Sequence, residues 1–315
     1  MISKDEMKTQ FDEYYWRNIY PLMVEKEKVR KKYVTNLKKL VVISCVVLPI
    51  VMYFSWYLTN KYQQEWIINV AYFSIVLNAF ILRGPFVVYK KMAKDDIMNR
   101  FIKFFDGFKY EQGRGLDYFE FIDNYIFPSF DEIKTDDCFF GRYNDVGVRI
   151  CEEKLIKYRT DSKGHRHKIT KFMGIVLELD MNKNFVYQTY VIKDKGILNH
   201  FGKQKGFEKV ALEDVIFEKE FEAYSENQIE ARYLLTTAFM ERMLKLKELY
   251  KGKNIQFSFK ASKVLIAINT KEDMFEPCTL LKTNLKEKQV YKVFEQFMTI
   301  FAVIDMLKLN QKTGM

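Results

Sequence analysis

LVVISCVVLPIVMYFSWYL, residues 40–58, runs for 19 residues without a charge. At about 1.5 Å of rise per residue that length crosses a hydrocarbon core of about 30 Å. A second run, WIINVAYFSIVLNAFIL at residues 66–82, follows after a short polar loop and reaches the same length if it continues past Arg83 to residue 89, with Arg83 snorkelling and Pro85 bending the exit. Ser74 and Asn78, four apart, share one helix face and are expected to hydrogen-bond toward the first run. A cleaved leader would put its apolar stretch near the start, whereas here 39 mostly polar residues come first. Burial of both runs inside a soluble globule is the competing arrangement; Trp56, Tyr57 and Trp66 at the ends of the runs favour the membrane.

Charge sets the expected direction. Residues 1–94 hold 15 Lys or Arg against 7 Asp or Glu, so most of the net charge of +10 sits there. Arg30, Lys31, Lys32, Lys38 and Lys39 precede the first span, and Lys90, Lys91 and Lys94 follow the second. Such residues stay on the cytoplasmic side, which predicts a multi-pass protein of the plasma (inner) membrane with both termini inside. The remainder is nearly neutral, so a nucleic-acid partner is not expected; anionic lipid is the nearer partner for the basic flanks. Cys45, Cys138, Cys151 and Cys278 show no C-x-x-C pairing, and neither a disulfide framework nor a zinc cluster is expected.

The expected organisation is an N-terminal helical segment (1–39), a transmembrane hairpin (40–89) and a cytoplasmic domain (90–315). Phe11, Tyr15, Ile19 and Leu22 mark the first helix, with Pro21 interrupting it. Two further helices are expected at KKMAKDDIMNRFIKFFDGF and GLDYFEFIDNYIF. Strands follow at CFFGRYN, VGVRICEEKLIKYR, KITKFMGIVLELDM, NFVYQTYVIKD and DVIFEKEFEAY, with MNKNF read as a hairpin turn and TDSKGHRHK as a longer connection. Ser225 with Gln228 makes a capping-box pattern that would start a helix burying Ile229 and Ala231, and Thr236 or Thr237 would cap the next, stopped by Gly252. IQFSF and KVLIAI would pair with each other across KAS. A closing helix is expected over about 286–309. The fold class is therefore α+β, a two-helix transmembrane hairpin followed by an antiparallel-sheet domain with helices. A sheet plugged by a terminal helix, as in pleckstrin-homology-like domains, satisfies the pattern by analogy.

FDEYYWRNIYPLM, FMGIVLELDMNKNFVYQTYVIKD, VALEDVIFEKEFEAYSENQIEARYLLTTAFMERMLKLK and IQFSFKASKVLIAI together resemble the DUF3137 family of bacterial membrane proteins. YSENQIEARYLLTTAFMERM is the most specific block. The resemblance implies paired membrane spans with a cytoplasmic domain, and it carries over no catalytic residue.

Candidate chemistry is sparse. His165 and His167 in GHRHK have the spacing of two ligands to one metal, with His200 as a distant third. Glu226 and Glu230, four apart, are the candidate acid pair, and Arg232 is placed to bridge to either. Phosphate-cradling and nucleophile-elbow motifs do not occur. The expected role is a membrane-anchored binding or scaffold module without a cofactor, engaging a protein partner or inner-leaflet headgroups. The alternative is a membrane-bound enzyme acting on lipid or peptide through the acid pair or a histidine-bound metal.

Overall fold

The computed structural model describes residues 4–64, 66–194, 204–307 and 309. The chain divides into two units, Met1–Phe104 with Glu276–Lys292, and Phe105–Phe275 with Val293–Met315.

The first unit is helical. Helix α1 (Lys4–Tyr14) passes through a π-helical turn (Tyr15–Ile19) into α2 (Tyr20–Tyr62), and α3 covers Trp66–Ile102. Phe11, Tyr15, Ile19 and Met23 are all fully buried. A strict four-residue repeat runs ahead of a 3.6-residue turn, and the wider π turn absorbs the drift. The stripe therefore continues through Met23 and not Leu22. Pro21 does not interrupt the helix, because it falls in the first turn of α2, where a missing N–H is tolerated.

Helices α2 and α3 contain 43 and 37 residues, so they run unbroken past residues 39 and 89. Both are long and apolar enough to cross a membrane, and only 11% and 6% of their apolar windows is buried. A hairpin buried in a soluble globule would hide those side chains; here Val42, Phe54, Phe73 and Phe80 are exposed. Asn78 Nδ2 donates to Ser44 Oγ across the helix pair at 2.8 Å, as expected, whereas Ser74 donates to Ala71 O of its own helix.

The second unit is built on an antiparallel sheet with seven strands among the described residues. They are β1 (Lys109–Gln112), β2 (Glu132–Tyr143), β3 (Val146–Thr160), β4 (Arg166–Lys193), β5 (Glu208–Lys209), β6 (Phe221–Ser225) and β7 (Asn254–Asn269). The order is β1-β2-β3-β4-β6-β5, with β7 pairing β4. Helices α4 (Tyr118–Ile122), α5 (Val215–Glu220), α6 (Gln228–Leu234), α7 (Thr237–Leu249) and α8 (Lys288–Leu307) complete the elements. The fold is α+β.

Several local expectations are corrected. MNKNF is no hairpin turn: β4 continues through it as one strand of 28 residues, and the turn-like residues instead mark register shifts against β7 between Asp180 and Thr189. IQFSF and KVLIAI do not pair with each other, because both belong to β7 and lie along β4. DVIFEKEFEAY splits into α5, capped by Asp214, and β6. GLDYFEFIDNYIF forms only the five-residue α4, since Tyr125 turns left-handed at φ 55°. The TDSKGHRHK connection is shorter than expected, since Thr160 pairs with Arg166 and only residues 161–165 lie between β3 and β4.

Both sheet faces are covered, which explains the nearly continuous apolar runs. On one face Cys138, Cys151, Leu155, Val176, Tyr190 and Leu265 pack with Phe121 and Ile126. On the other, Phe139 meets Phe297 of α8 at 4.8 Å and Tyr143 stacks on Phe301 at 4.1 Å. A disulfide joins Cys138 and Cys151, register partners on β2 and β3, correcting the expectation of none. Their pairing arises from strand register and not from spacing in sequence. Gly174 is required where β7 crosses, since a Cβ there would lie 2.0 Å from Ile268 O.

Candidate functional site

The YSENQIEARYLL block closes around a gap in the β4 ladder. Between Phe185↔Ala261 and Thr189↔Phe259, three residues of β4 face one of β7, so their amides lose regular ladder partners. Glu230 Oε1 and Oε2 accept from Val186 N at 2.8 Å and Tyr187 N at 2.9 Å, and Glu226 Oε2 accepts from Gln188 N at 2.9 Å. The two acids expected as a catalytic pair thus converge on consecutive main-chain amides. They do not share a helix face: Glu226 precedes α6, whose N-cap is Asn227 and not Ser225, with Asn227 Oδ1 accepting from Ile229 N and Glu230 N. Ile229 is exposed and Ala231 is buried, so only half of the expected buried pair holds. Thr236 caps α7 as expected.

Gln188, itself buried, links this block to a crevice. Its Nε2 donates to Asp123 O at 2.7 Å and Ser258 Oγ at 3.1 Å. The crevice, of 320 Å³, is lined by Phe119, Glu120, Asp123, Glu178, Lys260 and Lys263 among others. A ladder of alternating charge runs along it: Lys263 to Glu178 at 2.7 Å, Glu178 to Arg149 at 2.8 Å, and Arg149 to Glu120. Burial works against the charge on Arg149, but the two carboxylates outweigh it and hold its pKa above the ordinary value. Fixed charges of both signs beside an exposed aromatic ring suit recognition of a polar partner more than proton transfer.

His165 Nδ1 and His167 Nε2 both approach Asp161 Oδ2, at 3.3 and 2.9 Å, at the exposed tip of the β3–β4 hairpin. Asp161 also accepts from the amides of Lys163 and His165, and the His167 contact leads in holding its pKa down. The aspartate gathers the two rings and organises the turn. His200 lies outside the described residues.

The basic residues flanking the spans separate into two groups. Lys31, Lys32, Lys38, Lys39 and Lys91 are exposed. Arg30 instead clasps Glu27 with two bonds of 2.7 Å and donates to Leu280 O at 2.8 Å, while Lys94 reaches Glu276 at 2.6 Å and Lys90 reaches it at 3.1 Å. Glu27 also accepts from Asn284 N, and Asn284 Nδ2 donates to Tyr89 OH. These contacts pin residues 276–284 to α2 and α3.

Sequence patterning missed two buried acids of β3. Glu152 Oε1 accepts from Met274 N at 2.7 Å, and Glu153 accepts from Leu116 N at 3.0 Å and Thr135 Oγ1 at 2.8 Å. Burial pushes the Glu153 carboxyl up to about 7. Two adjacent acids inside the apolar strand VRICEEKLI were the available signal.

No curated protein matches the chain. The crystal structure of the mycobacterial trehalose monomycolate transport factor A, TtfA, is similar at 9% identity with a TM-score of 0.33, covering 64% of this chain and 88% of that one. A likeness of that degree transfers no role. Residues 170–309, which hold the β4 gap, the acids that fill it and helices α5 to α8, match the family model described as "Protein of unknown function (DUF3137)". That match supports the resemblance to the DUF3137 family over those residues.

Proposed function

We propose that this chain is a membrane-anchored binding or scaffold module. In this reading the apolar parts of α2 and α3 form a two-span hairpin in the plasma membrane, both termini face the cytoplasm, and residues 90–315 engage a protein partner or anionic headgroups of the inner leaflet. The observation that carries it is the exposed apolar surface of two long helices. The exposed lysines 31, 32, 38, 39 and 91 supply the attraction to anionic lipid, on the order of 1 kcal/mol each. The charged crevice beside Gln188 supplies a recognition surface. Engagement of Glu226 and Glu230 with main-chain amides favours binding over acid–base chemistry. Crosslinking in membranes followed by detergent extraction and capture, set against a copy lacking residues 92–315, tests the reading. Partners that disappear with the deletion support it; the same partner set with and without those residues refutes it.

A further inference from the structure

The turn after α4, Tyr190 of β4 and Gln204 line a second, partly open cavity, of 340 Å³, within the second unit. Six rings stand on its wall: Tyr118, Phe121, Tyr125, Phe127, Phe130 and Tyr190. Its volume falls at the lower end of the range for small-molecule sites. No charged side chain lines it among the described residues. An ion entering would give up part of its hydration shell with no described charge to pair with, which favours an uncharged ligand.

The wall is preorganised. Tyr118 and Phe121 both meet Phe130 edge to face, with centroids 5.5 and 5.6 Å apart, and Phe121 meets Phe127 at 4.8 Å. The Asp117–Glu120 capping box fixes the start of α4, Asn124 Nδ2 holds Glu120 O at 2.6 Å, and Gln188 holds Asp123 O. Tyr125 is kept left-handed with its N–H on Ile122 O at 3.3 Å. Such a backbone conformation costs energy in a bulky residue and puts a ring on the wall that a regular helix would place elsewhere. Ring edges and faces held at these spacings are matched by another ring. Ser129, Gln204 and the three tyrosines are the lining residues that carry polar groups for a neutral ligand.

We propose that this cavity is a binding site for an uncharged small molecule built around an aromatic ring. The assignment stands apart from the membrane-anchored reading, since it needs neither spans nor partner. It is tested on the full chain in lipid nanodiscs with a neutral photoprobe, hydroxymethyl-phenyl diazirine, and with its carboxylate analogue. Trypsin releases five of the six rings on one peptide, residues 115–134. Saturable labelling of that peptide by the neutral probe is expected, with labelling by the carboxylate weaker by about tenfold or more. Ser129→Trp and, separately, Phe127→Trp fill the space and should each remove the saturable labelling. Phe119→Trp, on the neighbouring charged crevice, should retain it. Absence of saturable labelling in the unaltered protein, equal labelling by the carboxylate, or undiminished labelling in both filled variants overturns the proposal. So does equal labelling of the same peptide by an aliphatic diazirine of similar size.

Discussion

Glu153 sits on β3 with 1% of its surface exposed, between the Leu116 amide and the Thr135 hydroxyl. Folded, it holds its proton up to about pH 7; unfolded, it loses the proton near its ordinary 4.5. Across that interval the folded state binds more protons, so stability falls as pH rises from 4.5 through 7, by up to about 3 kcal/mol. Urea melts at several pH values should show this slope, and Glu153→Gln should flatten it; a mutant with the parental slope would contradict the assignment. Glutamates 27, 152, 226 and 230 likewise accept main-chain N–H groups. Replacing Glu230 with Ala leaves the Val186 and Tyr187 amides without their carboxylate and should destabilise the fold by about 2 kcal/mol. Glu230→Gln, which keeps one acceptor oxygen, should cost less. Comparable melting of the wild type and Glu230→Ala would show that water satisfies these amides equally well.

At the scale of elements, long continuous segments replace the short ones that local patterning suggests. Strand β4 passes through MNKNF although Asn182, Lys183 and Asn184 have no register partner, because pairing on either side, with β3 and β7 up to Asp180 and with β7 and β6 from Phe185 onward, fixes its course. The β4–β7 crossing depends on Gly174. Gly174→Ala should cost on the order of 3 kcal/mol, because its methyl meets the backbone of β7 and not a side chain that could swing away. A thermal melt of this variant within a degree of the parent would show that the strands can separate without penalty. Between α2 and α3 the Asn78–Ser44 bond should be worth only about 0.6 kcal/mol, so Asn78→Leu should leave the helix pair assembled. The two long apolar helices, the closing helix and the Thr236 cap were legible because each rests on local periodicity or a single side chain. The α5–β6 split was not, since VIFEKEF satisfies either period over so few residues.

For the whole molecule, the membrane-anchored reading predicts opposite accessibility for two sites. In a cysteine-free background, a cysteine placed at Gln63 between the helices should react with an impermeant maleimide in intact cells, whereas one at Lys205 should react only after lysis. The reverse pattern, or release of the chain from membranes by carbonate, would remove the basis of the proposal. Arg30, Lys90 and Lys94 are not available in the way the exposed lysines are, because Glu27 and Glu276 already hold them. Charge reversal at Lys31, Lys32, Lys38 and Lys39 should therefore weaken attraction to anionic vesicles, while Arg30→Glu should chiefly destabilise the segment clasped at Leu280. A matched loss of vesicle binding without loss of stability in Arg30→Glu would assign Arg30 to the lipid-facing group.

By itself the sequence determined that two helices would be long and apolar enough for a bilayer, that an antiparallel sheet with helices would follow, and where α3, α7 and, within about two residues, α8 would begin. Those features depend on neighbours within one or two turns of chain. Only the tertiary structure decided that Glu226 and Glu230 serve strand amides, that Cys138 lies against Cys151, and that the rings around Tyr125 line a cavity. Each of these is set by strand register or by a turn that brings distant segments together, and a linear pattern of apolar and polar residues carries no record of which segments will meet.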